Sequence, residues 1–445
     1  MQVLNRTISV APVAALLLIA CAAGVRAQEP MRVVTLEEAI EQALGTDPAA
    51  VAASGAEVAS RAQLRQAWAS YFPTLTLNSS YGNSSNQRFD QATGRLVSES
   101  YTAQITAGYD IFTGGRRVLQ QRAARAEVVA SSAEHRAQRF QTILNTERTF
   151  YAAAAGDELV MAAEQRLARA RQQLSFAQVR LEVGTATRSD LLRAELEVGN
   201  AELAVLDAES ARRSARLQLG RQMGRDEEVQ PAPGALPDQA PDLPSVEALA
   251  ERAERTAPTA VAARSTFEAR RAASLSSMAA YLPTLRATGG YDWQAIEFPP
   301  DDRSWSLRLI ASVPVFNGLQ RETAVTQARV NARIASARAR DAAIGARIAA
   351  EDAARELASA ERRVEIAGRA VELAREDLRV QEERYQLGNV TILDLQASQL
   401  ALAEAEVAWV EARQALATSI GQLEAVLGQT ISEMTRELPA GSLPE

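Results

Sequence analysis

The feature that most constrains this chain is a run of sequence too long to fit inside any compact domain. Between Gly115 and Gly184 there is no proline, and only Gly156 interrupts a stretch rich in Ala, Leu, Arg, Glu and Gln. These residue types favour helix. One helix over this stretch would be on the order of 100 Å long at 1.5 Å per residue, and it must be partnered along its side. The same kind of run returns from Gly318 to Gly388, with no proline between Pro314 and Pro439.

The recurrence is a duplication of the whole chain. Gly184 and Gly388 lie 204 residues apart, as do Asp190 and Asp394. Thr35-Leu-Glu, Pro48 and Tyr71-Phe-Pro73-Thr-Leu75 recur as Ser245-Val-Glu, Pro258 and Tyr281-Leu-Pro283-Thr-Leu285 at an offset of 210. The offset changes because the second hairpin loop, near Phe298–Asp302, is shorter. A repeat this complete organises the fold.

Each copy reads as helix, strand, strand, very long helix, bend and returning helix. The first repeat spans 33–224, with a β-hairpin at 73–112, a long helix at 115–183 and a return helix at 185–224. A Pro- and Asp-rich linker follows at 225–244. The second repeat spans 245–428, with a hairpin at 283–316, a long helix at 318–387 and a return helix at 389–428, before a tail at 429–445. Pro48 marks a kink or a junction between two helices. The bends combine a glycine able to turn left-handed with Thr and Asp able to cap the next helix. Apolar residues recur every seven positions on the long helices: Val160, Leu167, Leu174 and Leu181, then Val364, Val371, Leu378 and Tyr385. Leu191, Val198, Val205 and Leu219 are expected to continue the seam on the first return helix, and Leu395, Leu402, Trp409, Leu416 and Leu423 on the second.

The hairpins change the period to strict alternation. Leu75, Leu77 and Tyr81 lie on one face, and Tyr101, Ala103, Ile105, Ala107, Tyr109 and Ile111 follow suit. The second hairpin places Leu285, Ala287, Tyr291, Trp293, Trp305, Leu307, Leu309, Ala311 and Val313 alike. Strands of ~9–11 residues with alternating faces and aromatic ends are the pattern of an outer-membrane barrel. Tyr81, Tyr101, Tyr109, Tyr291, Trp293 and Trp305 form the expected aromatic girdle against outer-membrane lipid. A polar loop is expected at about Gln87 to Ser98. Four strands cannot close around a lumen, and an open edge is not viable in lipid. Copies of the chain must therefore share the barrel.

The N-terminus carries Arg6, an apolar core and Val25-Arg26-Ala27, the order of a secretory signal over 1–27. A second reading takes Leu18-Ile19-Ala20-Cys21 as a lipoprotein box with Cys21 acylated. No cofactor is expected. The sole histidine, His135, sits on a polar helix face and reads as solvated, and no Cys/His spacing suits a metal. The net charge of −7 gives no support to nucleic-acid binding. A pore-less periplasmic coiled-coil scaffold remains the alternative. It would tuck the apolar strand faces beneath helices and stay a soluble monomer.

The two-fold repeat, the Pro-Thr-Leu strand openings, the Phe-x-Gly exits and the two Gly-x5-Asp-Leu bends resemble the TolC-family outer-membrane efflux proteins over about 33–428. The resemblance implies a mainly α-helical homotrimer. A 12-stranded β-barrel, four strands per chain, is continued by a coiled-coil tunnel into the periplasm of a Gram-negative cell, with an equatorial belt. It implies a periplasmic adaptor and an inner-membrane transporter as partners, and export of small molecules or proteins. Adaptor docking then falls on Gly184, Thr185, Leu191, Gly388, Asn389 and Leu395. Asp190 and Tyr385 stand where the family often has a hydrogen bond holding the tip shut. The usual basic residue is replaced by Val390, which leaves Arg188 as a substitute. Asp394 stands where relatives place a pore-facing carboxylate. The second acidic position is Ala397, so weaker cation discrimination is expected.

Overall fold

The computed structural model describes residues 33–90, 94–296, 298–300 and 302–437. The expected export signal, Cys21 and the end of the tail lie outside them. In chain order the first repeat supplies β1 (Val33–Val34), α1 (Leu36–Thr46), α2 (Pro48–Ala69), β2 (Thr74–Asp90), β3 (Arg95–Phe112), α3 (Arg116–Glu182) and α4 (Arg188–Gln222). The linker holds β4 (Gln230–Pro231). The second repeat gives α5 (Val246–Thr256), α6 (Pro258–Met278), β5 (Thr284–Ala295), β6 (Asp302–Ser312), α7 (Gln320–Gln386), α8 (Ile392–Leu427) and α9 (Ile431–Glu437). Among the described residues no helix is long and apolar enough to cross a membrane.

The long helices are the frame. α3 and α7 are each 67 residues, about 100 Å at 1.5 Å per residue. Two shorter helices share each of them: α2 and α4 pack on α3, while α6 and α8 pack on α7. α6 and α8 also contact α3 and so join the repeats. Pro48 is a junction, not a kink: the Asp47 carboxylate accepts the Ala49 N–H at 2.9 Å, and Pro48 starts α2. Proline suits a first turn because its missing N–H would have no intrahelical partner there.

The α7–α8 seam buries Val364, Val371, Leu378, Tyr385, Leu395, Leu402, Leu416 and Leu423, with Trp409 half-buried. On α4 the expected line is displaced. Ala194, Ala201 and Leu219 are buried, whereas Leu191, Val198 and Val205 are only partly so. Ala170 and Ala177 are buried on the facing stretch of α3, with Gln173 between them. Small residues opposite small residues let the backbones approach, and the larger apolar side chains then flank the contact.

The four long strands make one antiparallel sheet in the order β2-β3-β5-β6. The register pairs Leu77 with Ile105, Ile105 with Tyr291 and Tyr291 with Trp305. Opposed residues share a face, so one apolar face runs across both repeats. The other face is polar: Ser80 and Thr102 share a hydrogen bond at 2.8 Å, and the Gln104 amide donates to Asp292 at 2.5 Å. Among the described residues no helix covers the apolar face of the edge strands: Leu75 is 74% exposed and Trp305 75%. That removes the scaffold alternative. β2 and β3 are 17 and 18 residues long, because pairing continues through Phe89–Leu96 after a register shift between Asn83 and Arg88. This extension takes in much of the stretch expected to be a loop. Its polar residues carry no period-2 contrast when both faces meet water.

Where sheet meets helix, each repeat carries the same staple. Arg117 lies over the Tyr71 ring at 5.7 Å and donates to the Asp110 carbonyl. Arg321 lies over the Tyr281 ring at 4.3 Å and donates to the Pro314 carbonyl at 2.8 Å. Guanidinium stacking on the tyrosines that open β2 and β5 fixes the direction in which α3 and α7 leave the sheet.

Midway along the helices the linker folds in. β4 pairs in parallel with β1, and Leu236 is buried against Ala154, Ala155 and Val410. The Arg413 guanidinium donates to Glu158 and to the Leu236 carbonyl, both at 2.7 Å, and lies over the Trp409 ring. α9 docks at the same level through Ile431 and Met434. The linker and the tail thus both pack against the middle of the helices. His135 is not merely solvated: its Nδ1 contacts the Glu57 carboxylate at 2.7 Å, tying α3 to α2. That hydrogen bond holds the Glu57 carboxyl below the usual range.

The belt also buries a carboxylate. Glu147 of α3 is 8% exposed, and among the described residues its Oε2 has no hydrogen-bond partner. A Cβ on Gly421 of α8 would lie 1.9 Å from that oxygen, so any larger residue there must displace the carboxylate. Burial first, and the neighbouring Glu424 second, push the Glu147 pKa up to about 7. The folded chain therefore holds this proton more tightly than the unfolded chain, whose value is near 4.5. Its contribution to stability is whole below that lower pH and is lost as pH rises through about 7. Glu147→Gln should stabilise the fold by about 1–3 kcal/mol above neutrality and flatten this dependence. Thermal unfolding against pH checks it, and a Gln variant with the wild-type profile would contradict it.

Candidate functional site

The far end of the helices, away from the sheet, is where both bends lie. Gly184 and Gly388 adopt φ of +77° and +76°, the left-handed geometry that ends α3 and α7. The chain then re-enters a helix through a capping box. The Thr187 hydroxyl accepts the Asp190 N–H at 3.2 Å, while the Asp190 carboxylate accepts the Thr187 N–H at 2.9 Å. Thr391 and Asp394 repeat this at 3.3 and 2.9 Å. Such a box satisfies two donors that a helix start leaves unpaired. Hydrogen bonds from the Thr391 hydroxyl, then its N–H, hold the Asp394 carboxyl below the usual carboxylate range. It is an exposed, ionised group.

The structure does not join Asp190 to Tyr385. Asp190 is taken by its own cap, and Tyr385 is buried among Ala177, Leu378, Ile392 and Leu395. What reaches Tyr385 is Arg180, from the last turn of α3. Its Nη1 donates to the Tyr385 carbonyl at 2.9 Å, and its guanidinium lies 4.7 Å from the ring centre. The first hairpin thus grips the second by a charge-assisted bond and a cation–π contact. Arg188 opens α4, exposed, and takes no part. The Gln396 amide adds a second cross-tie by donating to the Arg193 carbonyl at 3.3 Å. Arg180 was overlooked in the sequence, though it had a signal: arginine precedes the bend glycine by four residues in both repeats, as Arg180 and Arg384.

Other expected tip residues divide by burial. Leu395 is buried and Leu191 half-buried in the apolar cluster, while Thr185 and Asn389 are exposed. Thr185 and Asn389 N–H groups close the bends on the Arg180 and Arg384 carbonyls at 2.8 and 2.9 Å. Above them α3, α7 and α8 enclose a cleft of about 380 Å³, lined by Arg169, Gln173, Phe176, Arg180, Glu382 and Tyr385. Burial raises the Glu382 pKa, and Arg169 opposes the shift. Among the described residues no group of His, Cys, Asp and Glu suits a metal ion.

On the sheet, the Tyr81 and Tyr101 rings meet tilted with centres 4.9 Å apart, and Tyr291 and Trp293 likewise at 4.6 Å. Trp305 stands opposite Tyr291. Tyr109 belongs to the helix end of β3, eight residues from Tyr101. That separation spans roughly 20–25 Å once strand tilt is allowed for, close to the height of a barrel's apolar band.

A family model described as outer membrane efflux protein matches residues 39–225 and 249–429. Protein CyaE of Bordetella pertussis is 26% identical over 305 residues, which cover 67% of this chain and 64% of that protein. The chain therefore spans under two thirds of this curated relative's length. Among solved structures, the outer membrane protein VceC of Vibrio cholerae superposes with a TM-score of 0.74 at 20% identity, covering 89% of this chain and 96% of that one. The open state of the MtrE outer membrane channel of Neisseria gonorrhoeae gives 0.74 at 21%, covering 88% and 89%.

Thr391→Val should loosen the second bend, since losing a hydroxyl cap costs ~1 kcal/mol. Amide exchange at Asp394 and Leu395 is then expected to quicken about fivefold. Unchanged exchange would show that the cap does not hold the tip.

Proposed function

The chain belongs to the outer membrane efflux protein family, and from that premise we propose that three copies form an outer-membrane channel. Its helical tunnel enters the periplasm and serves as the exit duct of a tripartite efflux or type I secretion assembly. The observation that carries this reading is the sheet. Its apolar face is exposed over both repeats, its other face is polar, and among the described residues its β2 and β6 edges have no strand partner. Three four-stranded sheets closed edge to edge make a 12-stranded barrel with lipid outside and water within. Transport through it is passive, driven by the inner-membrane transporter with which it assembles.

The tip is the docking and gating end. Gly184, Thr185, Leu191, Gly388 and Asn389 are the proposed contacts for a periplasmic adaptor, with Leu395 buried beneath them instead of touching it, and Asp394 lies on the solute path. The closing tie within a protomer is Arg180 on Tyr385, in place of the expected Asp190 bond. An adaptor opens the duct by drawing the second hairpin off that arginine. The capping boxes keep each bend intact while the hairpins move.

Reconstitution of the purified protein into planar lipid bilayers tests the reading, with discrete conductance steps expected. Arg180→Ala removes a charged hydrogen bond of ~1.5–3 kcal/mol, enough to raise the open-to-closed ratio about tenfold or more. Larger or longer openings should follow. Steps of wild-type size and duration in that variant would show that the gate lies elsewhere.

A further inference from the structure

Charge on the polar face of the sheet is sorted by height. One row crosses all four strands as Thr74, Gly108, Thr288 and Arg308. Arg286 starts in the next row towards the helices, opposite Asp110. It does not stay there: its Nη2 comes within 3.0 Å of where a Cβ of Gly108 would be. The missing side chain at Gly108 thus lets the Arg286 guanidinium lie over the Arg308 row. Its counter-ion is at arm's length, with Asp110 Oδ1 at 3.7 Å from Nε and both side chains well exposed.

The Arg308 side chain makes no ion pair or hydrogen bond among the described residues and is exposed. Ring closure does not neutralise it. It sits on the β6 edge, and the strand that would close on it, β2 of the next copy, offers Thr74, Thr76, Asn78, Ser80 and Gly82 on the same face. None is acidic. The carboxylates lie nearer the hairpin ends: Asp292, held by Gln104, and Asp302 opposite Gln294. Four residues separate Asp292 from the Arg308 row, roughly 13 Å along the strand. A trimer therefore carries six guanidiniums at one level with three carboxylates beside them, and an acidic zone further out.

We propose that Arg286 and Arg308 form an anion-binding ring in the barrel lumen, a station for solutes bearing carboxylate or phosphate groups. Guanidinium matches these groups by paired, parallel hydrogen bonds. Charged rings of this kind set the ion preference of pores. The ring takes anions from the tunnel, and the outer carboxylates weaken their hold as they leave. Salt screens the effect over about 8–10 Å, so it acts on solutes near the wall and is strongest at low ionic strength.

The proposal rests on the trimeric channel reading, and one experiment separates their failures. The purified full chain is placed in neutral phosphatidylcholine bilayers under a roughly tenfold KCl gradient at low salt, and the reversal potential is read. Arg308→Gln should lower the chloride-to-potassium permeability ratio about twofold or more, and adding Arg286→Gln should lower it further. Arg308→Lys should keep the wild-type ratio, and Asp292→Asn should raise it. Conducting Arg308→Gln and double variants with the wild-type ratio would overturn the ring while leaving the channel standing. A wild type with no conductance would overturn the channel and the ring together.

Discussion

Strands β2 and β6 each present a row of backbone N–H and C=O groups with no strand among the described residues to receive them. In water such an edge is tolerable. Beside it, however, Leu75, Leu77, Leu307 and Leu309 cover the outward face, and that face belongs in hydrocarbon. There each unsatisfied backbone group costs several kcal/mol, so the free edges and the apolar face are incompatible in a single chain. Ring closure resolves the conflict. The rest of the molecule follows from continuing a closed ring of strands as a ring of helices.

The duplication makes that continuation workable. Two strand pairs feed two long helices, and the Arg117–Tyr71 and Arg321–Tyr281 staples set the same exit at both junctions. Each long helix has room for two shorter partners, one towards the sheet and one towards the tip. The belt lies where those partners change over. The linker, β1, α9 and the buried Glu147 collect there because a helix-to-helix break leaves backbone and apolar surface to cover. At the tip the requirement reverses. Bends must hold their own shape by local caps while the two hairpins keep only a few ties between them, chiefly Arg180 on Tyr385 and Gln396 on Arg193.

Much of this was legible in the residues, for identifiable reasons. Period-2 alternation in β5 and β6 and heptad spacing in α7 and α8 are strong where one face is buried or lipid-facing, and there the expected and observed residues coincide. The far ends of β2 and β3 were not legible, because a strand solvated on both faces has no contrast to read. The α4 line was misplaced because alanine counts for little in a hydrophobic pattern, yet Ala194 and Ala201 make the close contact. Contacts between distant elements were the least accessible. His135 on Glu57 and Arg180 on Tyr385 join residues 78 and 205 positions apart, and neither pairing leaves a local trace. The family resemblance pointed to Asp190 as the lock, whereas this chain commits that carboxylate to a helix cap.

A closed barrel requires the two free edges to meet between protomers, and disulfide trapping in native membranes reads that union directly. Asn78→Cys on β2 is combined in turn with Ser304→Cys, Ser306→Cys or Ser312→Cys on β6, all on the polar face of the sheet. Oxidation of at least one pair should give a ladder of monomer, dimer and trimer that stops at three. No cross-link from any pair, or a ladder running past the trimer, would contradict a closed three-chain barrel.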